Sequence, residues 1–154
     1  MILLDADVLL IDVRYPNDQR FAVNRQALDE IRARGLAAGI TAQALLEVVG
    51  ILSFNVSTGN VPKLPQQLCL QYALNVFPDH QAHPGYAGCT VQDLISQMSK
   101  QMALGDAVLA VQVAMHVPWA DCLLTWNAAH FAGKLVVPVQ TPQEWLNQLA
   151  ASTP

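Results

Sequence analysis

Ile2, Leu3 and Leu4 form an unbroken apolar run that ends on Asp5. A run this short, with no polar alternation, is the pattern of a strand buried on both faces, as in a parallel sheet covered by helices. Similar runs return at 36–40, 122–125 and 135–137, with amphipathic stretches between them. Phe21, Leu28 and Ile31 space a helix between the turn Tyr15-Pro16-Asn17-Asp18 and Arg34, and Gly35 is placed as its C′ residue. Thr41 is placed to N-cap a helix from 42 to about 53 that turns Leu45, Val48, Val49 and Leu52 inward. Thr90 and Asp93 form a capping box ahead of a helix to about Met102, and Gly105-Asp106 opens another that ends before Pro118. Thr141-Pro142-Gln143-Glu144 combines an N-cap, Pro at N1 and Glu at N3 before a last helix through Trp145 and Leu149. Leu68, Leu70, Tyr72, Leu74 and Val76 alternate with Cys69, Gln71, Ala73 and Asn75, which predicts one more strand. Strands alternating with helices imply a three-layer α/β fold, a mostly parallel central sheet flanked by helices.

The length, 154 residues, suits one domain, read as 1–150 with a short tail at 151–154. Pro- and Gly-bearing segments at 55–66 and 78–88 read as loops. Hydrophobic residues reach 53% and charged residues only 13%, against typical values of about 45–50% and about 25%. Disorder is excluded, and some apolar surface is expected to meet a partner, as in a homodimer or an obligate complex. The most apolar region, 107–124, is broken by Gln112, His116, Pro118 and Asp121, short of the ~18 apolar residues of a membrane span. Met1–Leu4 has no basic flank, and Asp5, Asp7 and Asp12 interrupt the apolar residues after it, so a cytoplasmic protein is expected. Cys69, Cys89 and Cys122 are an odd set without a C-x-x-C pair and read as small apolar residues. The net charge of −4 gives no overall attraction to nucleic acid, yet five of the eight basic residues fall between Arg14 and Arg34, a local patch able to meet phosphates.

Ligands of open parallel sheets bind beyond the carboxyl ends of the strands, which is where Asp5 stands, with Asp7 two residues on. Glu47 interrupts the apolar stretch Leu45-Leu46-Glu47-Val48-Val49, and Asp106 opens Gly105-Asp106-Ala107-Val108-Leu109. Taken singly, Asp5 and Asp7 can end a strand, Glu47 can sit on a solvated helix face, and Asp106 can answer a helix dipole. Near-core carboxylates nevertheless cost free energy unless compensated. Mg2+ or Mn2+ is the compensating group that takes carboxylate oxygens and keeps several waters.

The order Leu3-Leu4-Asp5-Ala6-Asp7-Val8-Leu9, a lone Glu47, Gly105-Asp106-Ala107-Val108-Leu109-Ala110, and then Asp121-Cys122-Leu123-Leu124-Thr125-Trp126-Asn127-Ala128-Ala129-His130-Phe131 resembles the PIN-domain ribonucleases, in particular the VapC-type toxins of toxin–antitoxin pairs. The resemblance spans nearly the whole chain, leaving 55–90 without a motif. It implies a PIN-like fold and a metal-dependent endoribonuclease in which Asp5, Glu47 and Asp106 are catalytic acids that hold one or two Mg2+ or Mn2+ ions. An antitoxin protein is the partner it implies. The family's fourth acid falls at Asn127 here, whose amide offers an oxygen but no charge. Asp7 and Asp121 are secondary candidates for that charge, Asp121 from the amino end of its strand, and the Thr125 hydroxyl is a candidate bridge to the site. Arg14 and Arg20 are the candidate contacts to the RNA backbone. A catalytically weak or inactive PIN-like binding or assembly module is the alternative, motivated by Asn127 and the acidic pI.

Other features read as ordinary structure. His80 and His83 form an H-x-x-H in a Pro/Gly loop rather than on one helix face. His130 beside Phe131 reads as packing over the Asn127 loop, and burial is the default reading for Trp119, Trp126 and Trp145, Trp126 beside Asn127 being the first of them to consider for stacking a base. Asp5-Ala6-Asp7 also resembles the haloacid-dehalogenase phosphatases. Against that stand Ala110, where a second late acid belongs, and Thr125, which comes after Gly105-Asp106 rather than before it.

Overall fold

The computed structural model describes residues 1–79 and 88–151. The strands are β1 (Ile2–Leu4), β2 (Ala38–Thr41), β3 (Leu74–Phe77), β4 (Cys122–Leu124) and β5 (Val139–Gln140). The helices are α1 (Ala6–Arg14), α2 (Phe21–Ala33), α3 (Ala42–Ser53), α4 (Leu64–Tyr72), α5 (Val91–Met98), α6 (Leu104–His116), α7 (Ala128–Phe131) and α8 (Pro142–Ala151). The five strands form one sheet in the order β3-β2-β1-β4-β5, and every pairing is parallel. This is a PIN-like three-layer α/β fold. No helix of the described residues is long and apolar enough to cross a membrane.

The apolar runs are where the sheet is deepest. Leu3, Leu4, Leu123 and Leu124 are almost wholly buried, each contributing roughly 1.5–3 kcal/mol of apolar burial. The caps read from the sequence form as expected. Thr41 Oγ1 accepts the Ala44 N–H at 3.2 Å, Thr90 and Asp93 make a reciprocal capping box, and Glu144 Oε2 accepts the Thr141 N–H at 2.7 Å.

Four expectations are corrected, one of them the burial of Trp119, which is exposed. The alternating segment around Leu68 is the helix α4 through Tyr72, with a strand only at Leu74–Phe77. Pro65 stands in the first turn of α4, and Leu64, Leu68 and Tyr72, spaced by four, are its buried face, while Leu70 is exposed. Ala73, in the left-handed region at φ 51°, ends α4 and lets the chain turn directly into β3. The last strand lies at Val139–Gln140 rather than 135–137; Val136 faces solvent, and it is Val139 that takes register with Leu123. The helix after Thr90 stops at Met98, short of Met102, where Ser99–Gln101 turn and Gln101 takes φ 62°. His80 and His83 lie outside the described residues.

Buried polar groups tie the helices to the sheet. Asn24, with no exposed surface, donates to the Val8 carbonyl at 2.9 Å and accepts from Trp126 Nε1 at 2.8 Å, joining α1, α2 and the loop after β4. Asp12 is buried on α1, paired with Arg25 Nε at 2.8 Å and accepting the Tyr72 hydroxyl. A buried carboxylate persists only with such partners.

Candidate active site

Because all strands are parallel, their carboxyl ends share one edge of the sheet, and the strand order turns back between β1 and β4. A crevice opens at such a switch point. Asp5 enters it directly from β1: its N–H donates to the Leu124 carbonyl at 3.0 Å, and its Oδ1 accepts the Ala6 N–H at 2.8 Å, capping α1. Asp7 is in the first turn of α1 rather than at the end of the strand.

Asp7 holds the loop that leaves β4. Its Oδ2 accepts from Thr125 Oγ1 at 3.1 Å and from the Trp126 N–H at 2.9 Å. Thr125, fully buried, uses the same hydroxyl oxygen to accept the Asn127 N–H at 3.0 Å. The other carboxylate oxygen of Asp7, Oδ1, is buried without a hydrogen-bond partner.

Glu47 and Asp106 come from α3 and α6, which pack together. Gln112 Oε1 on α6 accepts the Gln43 N–H at 3.0 Å, and Gly105, just before Asp106, lies against the end of the Gln43 side chain. The charge of Asp106 acts on Asp5 and Glu47, and that of Asp5 acts on Glu47. Burial raises the Asp5 carboxyl above its ordinary value, opposed by hydrogen bonds from Thr125 and Ala6 and reinforced by Asp106. Burial, then the charge of Asp5, push Asp7 up to about 7. Glu47 is raised by partial burial and then by Asp5 and Asp106, although much of its side chain is at the surface. The cluster is short of positive charge.

Several sequence candidates stand elsewhere. Asp121, exposed at the amino end of β4, is paired with the N-terminal ammonium of Met1 and does not reach the crevice. Asn127 is exposed and begins α7. Arg14 donates to the Ile51 carbonyl at 2.8 Å and lies over Tyr15. Arg20 borders the cluster: with Asp7, Tyr15 and Asp18 it lines an open depression, its guanidinium stacked 5.7 Å from the Trp126 ring centre. It is gripped by Asp18 at 2.9 and 2.7 Å, which holds Asp18 down at about 2. One residue read as packing belongs to the site. His130 stands edge-on to Phe131 and also brings Nε2 to 2.9 Å from Asp106 Oδ2. Its only sequence signal is its place three residues after Asn127.

The donor set suits a hard divalent cation in its chemistry, with carboxylates from three separate elements, Asp5 and Glu47 among them raised by neighbouring negative charge, and an unpartnered buried oxygen on Asp7. Among the described residues no three Asp, Glu, His or Cys side chains are arranged to enclose an ion directly.

No protein-family model matches the sequence, and no curated protein matches it at a significant level. Solved structures do match. A chain of VapBC2 from Rickettsia felis, bound to a DNA fragment from its promoter, is 14% identical with a TM-score of 0.60, covering 92% of this chain and 98% of that one. A chain of FitAB bound to the IR36 DNA fragment is 16% identical, TM-score 0.57, over 92% and 95%. A chain of VapBC-1 from nontypeable Haemophilus influenzae is 16% identical, TM-score 0.59, over 93% and 99%. At these identities the likeness is one of fold, and it extends over nearly the full length on both sides.

Proposed function

We propose that this chain is a Mg2+- or Mn2+-dependent endoribonuclease of the VapC type, restrained by an antitoxin. The observation that carries the reading is the grouping of Asp5, Asp7, Glu47 and Asp106 around the carboxyl end of β1, where the charge of Asp5 raises Asp7 and Glu47 and that of Asp106 raises Asp5 and Glu47. The VapBC and FitAB folds support it. Asp5 and Asp106 are the residues that would hold the ion, with Glu47 at the rim. A divalent ion bound there supplies acidity to water and charge stabilisation to an attacked phosphate.

The chain's own residues do the rest. Asp5 fixes the floor of the crevice because its backbone is locked to β4 and its side chain to α1. Thr125 and Asp7 set the path of the Trp126–Asn127 loop, the wall along which a strand of RNA would lie. Arg20, oriented by Asp18 and Trp126, retains Nη1 for a phosphate. The apolar composition and the exposed Val91, Ile95 and Met98 of α5, a helix with no buried residue, support association with an antitoxin and with a second copy. The exposed amide of Asn127 favours one other reading, a PIN-like binding module with little or no turnover.

The test is incubation of mixed-sequence single-stranded RNA with metal-stripped protein, with and without Mg2+ or Mn2+, beside Asp5→Ala. Cleavage that requires the ion and is lost in the variant supports the ribonuclease. Cleavage in neither, across several RNAs, favours the binding module.

A further inference from the structure

His130 reaches Asp106 in an unusual way. Nε2 is buried and lies 2.9 Å from Asp106 Oδ2, yet it makes no hydrogen bond of acceptable geometry. A ring nitrogen this close to a carboxylate oxygen, without an aligned N–H between them, places two donor atoms where one cation can take both. Two donor atoms each about 2.1 Å from one ion and at right angles across it are about 3.0 Å apart, close to the separation found. The position is built. α7 is a single turn begun by Asn127, the His130 N–H donates to the Asn127 carbonyl at 3.0 Å, and Phe131, 1% exposed, anchors the turn with its ring edge-on to the imidazole at 5.6 Å.

We infer that His130 is a nitrogen ligand to the divalent cation held by Asp106, supplying the donor that the amide at Asn127 does not, and that it tilts the site from Mg2+ toward Mn2+. The inference rests on the metal-dependent reading above and deepens it. Imidazole suits transition-metal ions, whereas Mg2+ prefers oxygen donors and holds its waters. His130 would join Asp106 and Asp5 in holding the ion, with Glu47 at the rim. Cation preference is thereby set by α7.

The test uses the full-length, metal-stripped protein and Mn2+ alone, with no RNA. Pulsed electron paramagnetic resonance of bound Mn2+ reads coupling to a directly ligated nitrogen. The expected result is a nitrogen-14 modulation in the wild type, absent in His130→Gln and retained in His116→Gln. Calorimetric titration should show Mn2+ affinity falling at least about tenfold in His130→Gln, with Mg2+ affinity changing much less. Mn2+ bound without nitrogen coupling, or with a coupling that survives His130→Gln, overturns the inference and leaves the ribonuclease reading standing, since His130 and Asp106 would then be a plain contact. Failure of Mn2+ and Mg2+ to bind the wild type, or binding unaffected by Asp5→Asn, overturns both. The wild-type spectrum decides the matter even where a variant folds poorly.

Discussion

Asp7 gives the sharpest quantitative handle on the acid cluster. Its carboxyl rises from 3.8 to about 7 on folding, through burial and then the charge of Asp5. At ~1.4 kcal/mol per tenfold change in a proton equilibrium, that rise corresponds to about 4 kcal/mol. The sign is set by where the protons are. Between pH 4 and 7 the folded chain keeps the Asp7 proton while the unfolded chain has lost it, so stability falls as pH rises. The contribution is fully present below the unfolded value and gone above about pH 7. Asp7→Asn removes the titration but leaves an amide oxygen for Thr125 Oγ1 and the Trp126 N–H. Near pH 4 the variant and the wild type should agree within about 1 kcal/mol, the scale of one altered hydrogen bond. At pH 8 the variant should be more stable by about 3 kcal/mol. Urea unfolding in chelator at pH 4 to 8 measures the difference, with Asp5 and Glu47 common to both proteins. A difference that does not change with pH, or a variant less stable at pH 8, would refute the burial and charge argument for the cluster.

Thr125→Val deletes both the donor to Asp7 and the acceptor of the Asn127 N–H; urea unfolding should show a loss of about 1–3 kcal/mol, and a neutral result would mean the loop is held otherwise. Asn127→Asp changes an exposed residue, so stability should move by no more than about 0.5 kcal/mol while calorimetry shows tighter Mn2+ binding; unchanged affinity would remove the amide as a cause of weak metal binding. Ile95→Glu places a charge on the exposed apolar face of α5 and should convert a dimer to a monomer by light scattering, whereas a wild type already monomeric at micromolar concentration would count against self-association.

The helix starts were legible because caps are local: Thr41, the Thr90–Asp93 box and Thr141–Glu144 announce themselves within four residues. The parallel sheet was legible because strands buried on both faces read as unbroken apolar runs, as at Ile2–Leu4. The segment at 68–76 misled because Leu68, Tyr72 and Val76 fit a spacing of two and of four alike. The choice was made by Pro65 in the first turn of α4 and by burial of Leu64 against the core, neither inside the alternating window. The final strand was misplaced across Pro138, since hydrophobicity at 135–137 says nothing about which residues take register with β4. At the site, Asp5, Glu47 and Asp106 were marked by carboxylates in apolar context. The roles of Asp7 and His130 were hidden because each depends on contacts across more than twenty residues of chain, to Thr125 and Asp106. Asp121 sat in the motif, yet it stands at the amino end of β4, at the edge of the parallel sheet opposite the crevice.

Hydrolysis by metal-activated water is the central claim, and the chemistry of the cut ends tests it most directly. Cleavage of RNA in water enriched in oxygen-18, with Mn2+ supplied to the stripped protein, should give linear phosphate monoester ends carrying one heavy oxygen from the first turnover. No 2′,3′-cyclic phosphate should form, and chelator or Asp106→Asn should stop the reaction. Cyclic phosphate ends, which arise when the RNA's own 2′-hydroxyl attacks, or cleavage undiminished by chelator, would contradict the account.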